Sequence, residues 1–378
     1  MIRVVGWDIG GANIKAACIE TGEKHGGRVR VESRPFEIWR EKERLPEMVR
    51  STMDVIAPGE RPAAMAVTMT AELSDVFETK REGVEFVLES IQSCFPTVPG
   101  YALSLSGEFL SLSEARLRPL EFAAANWLAS AYYVARHHPN CILVDVGSTT
   151  TDIVPILDGK VCAGGRTDME RLASGELVFT GILRTNLAAI VRSVPVAGRS
   201  CRVAAEYFAV SGDVHLILGF LQAEDYTCTT PDGRPPSVDS ARRRLARLVC
   251  ADAEMLSAAE IDEMARHIYQ RQLCQVQDGL NQVLSRRPEL RKHPAVVLGT
   301  GAFLGTEAAR NLGLEIGESA GILGREGSPA APQGAAAPQG AAAPCVAAAH
   351  LLAEQLGIFN ETKDASKLGK SSDLRNRK

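Results

Sequence analysis

"GWDIGGANIK" (residues 6–15) and "VDVGSTTTDI" (residues 144–153) follow one pattern: an apolar strand, an aspartate near its end, a glycine turn, then small polar residues. In the first the acid is Asp8, the turn Gly10-Gly11, and Asn13 and Lys15 follow; in the second they are Asp145, Gly147 and the run Ser148 to Thr151. A hairpin turning on glycine brings bare backbone N–H groups against an anion, because no Cβ blocks the approach. An aspartate at the strand end does the opposite job and holds hydrated magnesium, which favours carboxylate, water and phosphate oxygens. Two such hairpins facing each other would clamp a polyphosphate with the metal between them.

Outward from these turns the chain repeats itself. Residues 3–9, 13–20 and 29–38 read as a three-stranded meander. A helix follows over 45–56, where Leu45, Met48, Val49, Met53 and Ile56 share one face. Then come a strand at 62–69, a helix at 83–95, a strand at 100–105 and a helix at 120–136. The β-β-β opening returns at 141–146, 151–157 and "KVCAG". Helices are expected over 175–191, 201–221, 238–250 and 258–284, the second and fourth pairing within one chain or across a homodimer. "AVVLGTGAFLG" (295–305) reads as strand, glycine turn and helix start. The order predicts a duplicated α/β architecture: a first lobe at 1–138, and a second at 139–326 plus 344–358 that carries a helical substrate subdomain over about 168–290. The repeat "GSPAAPQGAAAPQGAAAP" lacks any large apolar residue, so 327–343 reads as a low-complexity loop and 359–378 as a disordered polar tail. A last helix is expected over 346–356.

Composition excludes several classes. The 378 residues are 45% apolar and 23% charged, ordinary for a globular protein. With 46 acidic against 42 basic residues the net charge is −4, and aromatics are only 5%, so neither field nor stacking surface advertises a nucleic-acid partner. The longest apolar stretch, 122–135, falls short of the ~20 residues of a membrane span. Nine cysteines stand singly, with no C-x-x-C pair, which argues against zinc, iron–sulfur and disulfide frameworks and for a reducing cytoplasm. Asp8 interrupts the only early apolar run, so no secretory leader is expected.

The two acids, Asp8 and Asp145, are therefore expected to hold Mg2+, largely through water. Gly10, Gly11, Asn13, Gly147, Ser148 and Thr149, together with the late turn Gly299-Thr300-Gly301, are expected around the phosphates. Lys15 shares a face with Asn13 and is read either as a phosphate ligand or as a solvent-exposed lysine. Asp152 joins the catalytic set as a further acid. Thr70 and Glu72 follow the carboxyl end of a buried strand, where open α/β sheets place ligands, although Thr70 serves equally well as a helix cap. Arg166, Asp168 and Glu176, in the polar block "GRTDMERLASGE", are candidates for gripping an organic substrate, with Arg184 and Asn186 behind them. Asp152, Asp168 and Glu176 all remain open as a general base.

The turn set resembles the duplicated ribonuclease-H-like fold shared by actin, sugar kinases and heat-shock ATPases. Longer blocks, among them "DIGGANIK", "MTAELSDVF", "DVGSTTTDIVPI" and "YTCTTPDGRPPS", resemble the hydantoinase/oxoprolinase-related proteins of tetrahydromethanopterin-linked one-carbon metabolism, over nearly all of residues 1–323. That resemblance implies a cytoplasmic transferase of methanofuran-type cofactor biosynthesis. Its small-molecule substrates would be an aminomethylfuran methyl diphosphate and a tyramine- or tyrosine-type phenol, with diphosphate released and Mg2+ as cofactor. The alternatives on the same fold are an ATP-dependent small-molecule kinase and a hydantoinase/oxoprolinase-like amidohydrolase.

Overall fold

The computed structural model describes residues 2–20, 28–59, 61–319 and 342–358. The low-complexity loop at 327–343, apart from its last two residues, and the tail at 359–378 lie outside them.

The first half is built on β1 (Arg3–Ile9), whose seven residues are all buried. A strand covered on both faces needs an unbroken apolar run, and Asp8 is its single acid. β2 (Asn13–Glu20) and β3 (Arg28–Pro35) complete an antiparallel meander. After α1 (Ile38–Glu41) and α2 (Leu45–Ile56), β4 (Ala64–Met69) runs parallel beside β1. α3 (Lys80–Cys94) leads to β5 (Gly100–Leu103) and the short edge strand β6 (Phe109–Ser111). α4 (Leu112–Leu117) and α5 (Asn126–His137) close the half, and the sheet order is β3-β2-β1-β4-β5-β6.

The second half repeats the start of this plan. β7 (Cys141–Val146) pairs antiparallel with β8 (Thr151–Leu157), and β13 (Ala295–Leu298) runs parallel beside β7 as β4 does beside β1. The third meander strand is split in two, since β9 (Lys160–Val161) and β10 (Leu177–Val178) both pair with β8. A parallel bridge from Ala295 to Ile316 stands where the first sheet has β5. Between β10 and β13 lie α7 (Leu187–Ile190), α8 (Ser211–Ile217), α9 (Val238–Arg247) and α10 (Ala258–Arg286); α6 (Asp168–Ser174) precedes β10, and α11 (Ala302–Asn311) follows β13. The duplicated ribonuclease-H-like expectation holds.

Several expectations need correction. The stretch 175–191 is not one helix, because only α7 is helical there. Residues 201–221 hold the end of a hairpin, β11 (Ser193–Val196) and β12 (Arg199–Arg202), before α8 begins. Ala197 and Gly198, with φ of 48° and 72°, supply the paired left-handed residues that a two-residue hairpin turn requires. The helix expected from 120 starts at Asn126, because Ala124 takes φ 50° and breaks the run. β6 and α4 were not anticipated.

The last helix, α12 (Ala343–Gln355), was expected with the second lobe but packs on β1, β2 and β4 of the first sheet and on α5. Its alanine-rich face explains the close approach: a Cβ on Gly6 would sit 1.9 Å from the Cys345 carbonyl oxygen. Helices α5 and α12 thus form a shared middle layer, with Trp127, Leu128, Val346 and Leu352 joining Val4 of the first sheet to Leu143 and Val154 of the second. Separate cores lie beyond each sheet, one under α2 and α3 and one under α10. α10 packs within the chain, against α8, α9 and α11. No helix of the described residues is long and apolar enough to cross a membrane.

Candidate active site

The ends of β1 and β7 open into one cavity of about 480 Å³ between the sheets. Asp8, Lys15, Asp145 and Asp152 all line it, as do Gly10, Gly11, Asn13, Gly147, Ser148, Thr149, Gly299, Thr300, Thr70, Glu72 and Asp168. The register explains the grouping. Asp8 stands opposite Lys15 on β2 and Thr68 on β4, and Asp145 opposite Asp152 on β8 and Leu298 on β13. Thr68 Oγ1 donates to the Trp7 carbonyl at 2.9 Å and lies 3.4 Å from Asp8 Oδ1.

The two turns share their closing hydrogen bond. Gly10 N–H donates to the Asn13 carbonyl at 2.9 Å, and Gly147 N–H to that of Thr150 at 2.8 Å. In the first turn the Gly11 and Ala12 carbonyls accept from Ile38 and Phe36; in the second those of Gly147 and Ser148 accept from Ile182, Leu183 and Arg184. With their carbonyls drawn into the protein, the turns keep the N–H groups of Gly11, Ala12, Ser148 and Thr149 free of partners among the described residues, on the cavity wall. Such paired amides suit an anion.

Gly299 closes the floor. Its φ is +88°, and a Cβ there would stand 2.3 Å from the Val146 carbonyl oxygen and 2.5 Å from Asp145 Oδ1. Only glycine lets this turn press against the Asp145 carboxylate.

Four expected residues do other work. Gly301 gives its N–H to Val146 and is packed against the Val146 and Ile182 side chains, so it is a packing glycine and not a phosphate ligand. Glu176 is fully buried and caps the Gly164 and Gly165 amides at 2.6 and 3.1 Å while pairing with Arg286 at 2.8 Å. It holds the loop before α6 and does not face the cavity. Arg166 is exposed and reaches the Leu105 carbonyl at 3.2 Å. Asn186 caps α7 through Ala188.

The hydantoinase/oxoprolinase signature matches residues 63–317, most of the chain. The chain belongs to the hydantoinase/oxoprolinase family. It is 37% identical over 286 residues, 75% of this chain and 83% of the relative, to the (4-{4-[2-(gamma-L-glutamylamino)ethyl]phenoxymethyl}furan-2-yl)methanamine synthase of Methanocaldococcus jannaschii. To the synthase of the same name from Methanococcus vannielii it is 43% identical over 130 residues, 34% of this chain and 58% of that one. Among solved structures, nucleotide-free acetone carboxylase superposes with a TM-score of 0.51 over 83% of this chain and 67% of that one, at 10% identity, which shows a shared fold.

This hydantoinase/oxoprolinase cavity is strongly acidic on one side. Burial raises the Asp145 carboxyl to about 7; Asp152 and Asp8 push the same way, and Lys15 opposes them. Asp8 is raised chiefly by burial, against Lys15 and the Thr68 hydroxyl, and Asp152 by burial against Arg171. Asp145 feels the charge of Asp152 and Asp8, and Asp8 that of Asp152, a repulsion that a cation beside them would relieve.

Beside the acids the cavity lining is also aromatic and cationic, and sequence reasoning missed most of that part. Arg171 is buried, donates to Asp152 Oδ1 at 2.9 Å and lies 3.9 Å over the Trp127 ring. Arg184 stacks 4.5 Å from the Trp39 ring and reaches Thr149 Oγ1 at 3.5 Å. Phe179 lines the same cavity. Arg171 lay inside the polar block already singled out, but Trp39 and Trp127 carried no local signal.

Proposed function

We propose that this chain is a transferase of methanofuran-type cofactor biosynthesis, joining an aminomethylfuran methyl diphosphate to the phenol of a tyramine-type acceptor and releasing diphosphate. The observation that carries this reading is the convergence of both acid-glycine turns on one cavity that Trp39, Trp127 and Phe179 also line. Likeness to the methanamine synthases supports the choice of substrates.

The donor set fits magnesium. Among the described residues no three His, Cys, Asp or Glu side chains are grouped to hold a metal alone. Asp8 and Asp145 would therefore hold it together with water and diphosphate oxygens, the mixed oxygen shell this ion favours. When bound, it supplies charge neutralisation to the departing diphosphate.

The chain's own groups do the rest. The amides of Gly11, Ala12, Ser148 and Thr149, with Lys15, bind the phosphates and stabilise the charge that grows as the carbon–oxygen bond breaks. The furan oxygen feeds electrons to the furfuryl carbon, so that bond is weak. The aromatic wall places the rings and excludes water, so the phenol oxygen and not solvent meets the carbon. All nine cysteines are free, and we place the reaction in the reducing cytoplasm.

The test is direct. Pure protein with both substrates and Mg2+, without ATP, should yield the aryl ether and diphosphate by mass spectrometry, whereas dependence on ATP or absence of ether would contradict the proposal.

A further inference from the structure

Ether formation releases a proton, and the three acids that sequence reasoning offered as its acceptor are all engaged. Asp152 is held by Arg171 at 2.9 Å, Asp168 by Lys80 at 2.7 Å, and Glu176 by two amides and Arg286. Glu72 is different. It lies in the turn just beyond β4, is 1% exposed, and lines the cavity. Neither carboxylate oxygen completes a hydrogen bond.

We infer that Glu72 is the catalytic base that accepts the phenolic proton, a role that rests on the condensation proposed above. The phenol O–H bond breaks and its proton passes to the Glu72 carboxylate. The freed oxygen pair forms the bond to the furfuryl carbon, and the carbon–diphosphate bond breaks with its pair leaving on diphosphate. Glu72 then returns the proton to water.

The surroundings suit this task. Burial raises Glu72 to about 7, and Asp168 of α6 adds to the rise. Lys80 of α3 and the nearby amides of Glu72 and Ala124 hold it back. A carboxylate so placed is ionised just above neutral pH and more basic than an ordinary one, as a general base working there should be.

The experiment compares wild type and Glu72→Gln at saturating Mg2+ with two acceptors, a tyramine-type phenol and a nitrophenol acidic enough to be ionised already. We expect a loss of ~10²–10⁴-fold with the first and under ~10-fold with the second, since an ionised acceptor needs no base. Binding of Mg·pyrophosphate should be unchanged, which reports an intact fold. The wild type alone supplies a second reading: its rate with the ordinary phenol should rise with pH through about 7, and its rate with the nitrophenol should not. An equal loss with both acceptors, or no loss, overturns the inference and leaves the condensation standing. No ether from the wild type with either acceptor overturns both.

Discussion

Asp145 is kept where an unpaired carboxylate is least comfortable, between Asp152, Asp8 and a glycine that presses on its oxygen. Its folded pKa, about 7, lies above the ordinary carboxylate value. A group raised on folding contributes stability that is complete below its unfolded pKa and is lost as pH climbs through the folded one. Metal-free protein should therefore weaken between about pH 4 and pH 7, and Asp145→Asn should reduce that loss, leaving the share that comes from Asp8, Asp152 and Glu72. In thermal melts at pH 8 without Mg2+, Asp145→Asn should melt higher than wild type yet fall by ~10² or more in condensation rate; a lower melting point contradicts this. At this scale the acids and turn glycines were legible because strand, acid and glycine are neighbours in sequence. Arg171, Trp39 and Trp127 were not, because tertiary packing alone brings them to the cavity.

The elements hold the site through close approach more than through polar contacts. α12 lies flush on β1 because Gly6 offers no side chain and the helix offers Cys345, Ala348 and Ala349. Gly6→Val would drive a side chain into the helix backbone, costing ~1–3 kcal/mol or more. Faster proteolysis within α12 and a lower melting point should follow; wild-type resistance would show the contact to be dispensable. Helices with a clear apolar stripe were legible, α2 to the residue. The hairpin at 193–202 was hidden because "VPVAGRSC" lies beside apolar stretches with helical spacing, although its Ala-Gly pair gave a weak turn signal. The docking of α12 on the first sheet was not legible, since an alanine-rich helix shows no preferred face to sequence reasoning.

Across the whole molecule the two halves meet around the cavity. Lys80 pairs with Asp168 at 2.7 Å, Thr229 donates to Glu37 at 2.6 Å, and Arg184 stacks on Trp39. Arg184→Ala removes a cation–π contact of ~1 kcal/mol as well as a donor beside Thr149, so diphosphate affinity should fall ~5–10-fold with little change in melting temperature. Calorimetry checks this, and an unchanged affinity would place Arg184 outside the binding event. The duplicated plan itself was legible, because the same motif opens each half. Most directly decisive is a double-mutant cycle on Mg·pyrophosphate binding by calorimetry, with Asp8→Asn, Asp145→Asn and the pair. If both turns grip one metal-bridged anion, each single change should cost nearly as much as both together, a coupling of ~1–3 kcal/mol. Additive losses, or affinity indifferent to either acid, would mean that the two turns do not share a ligand.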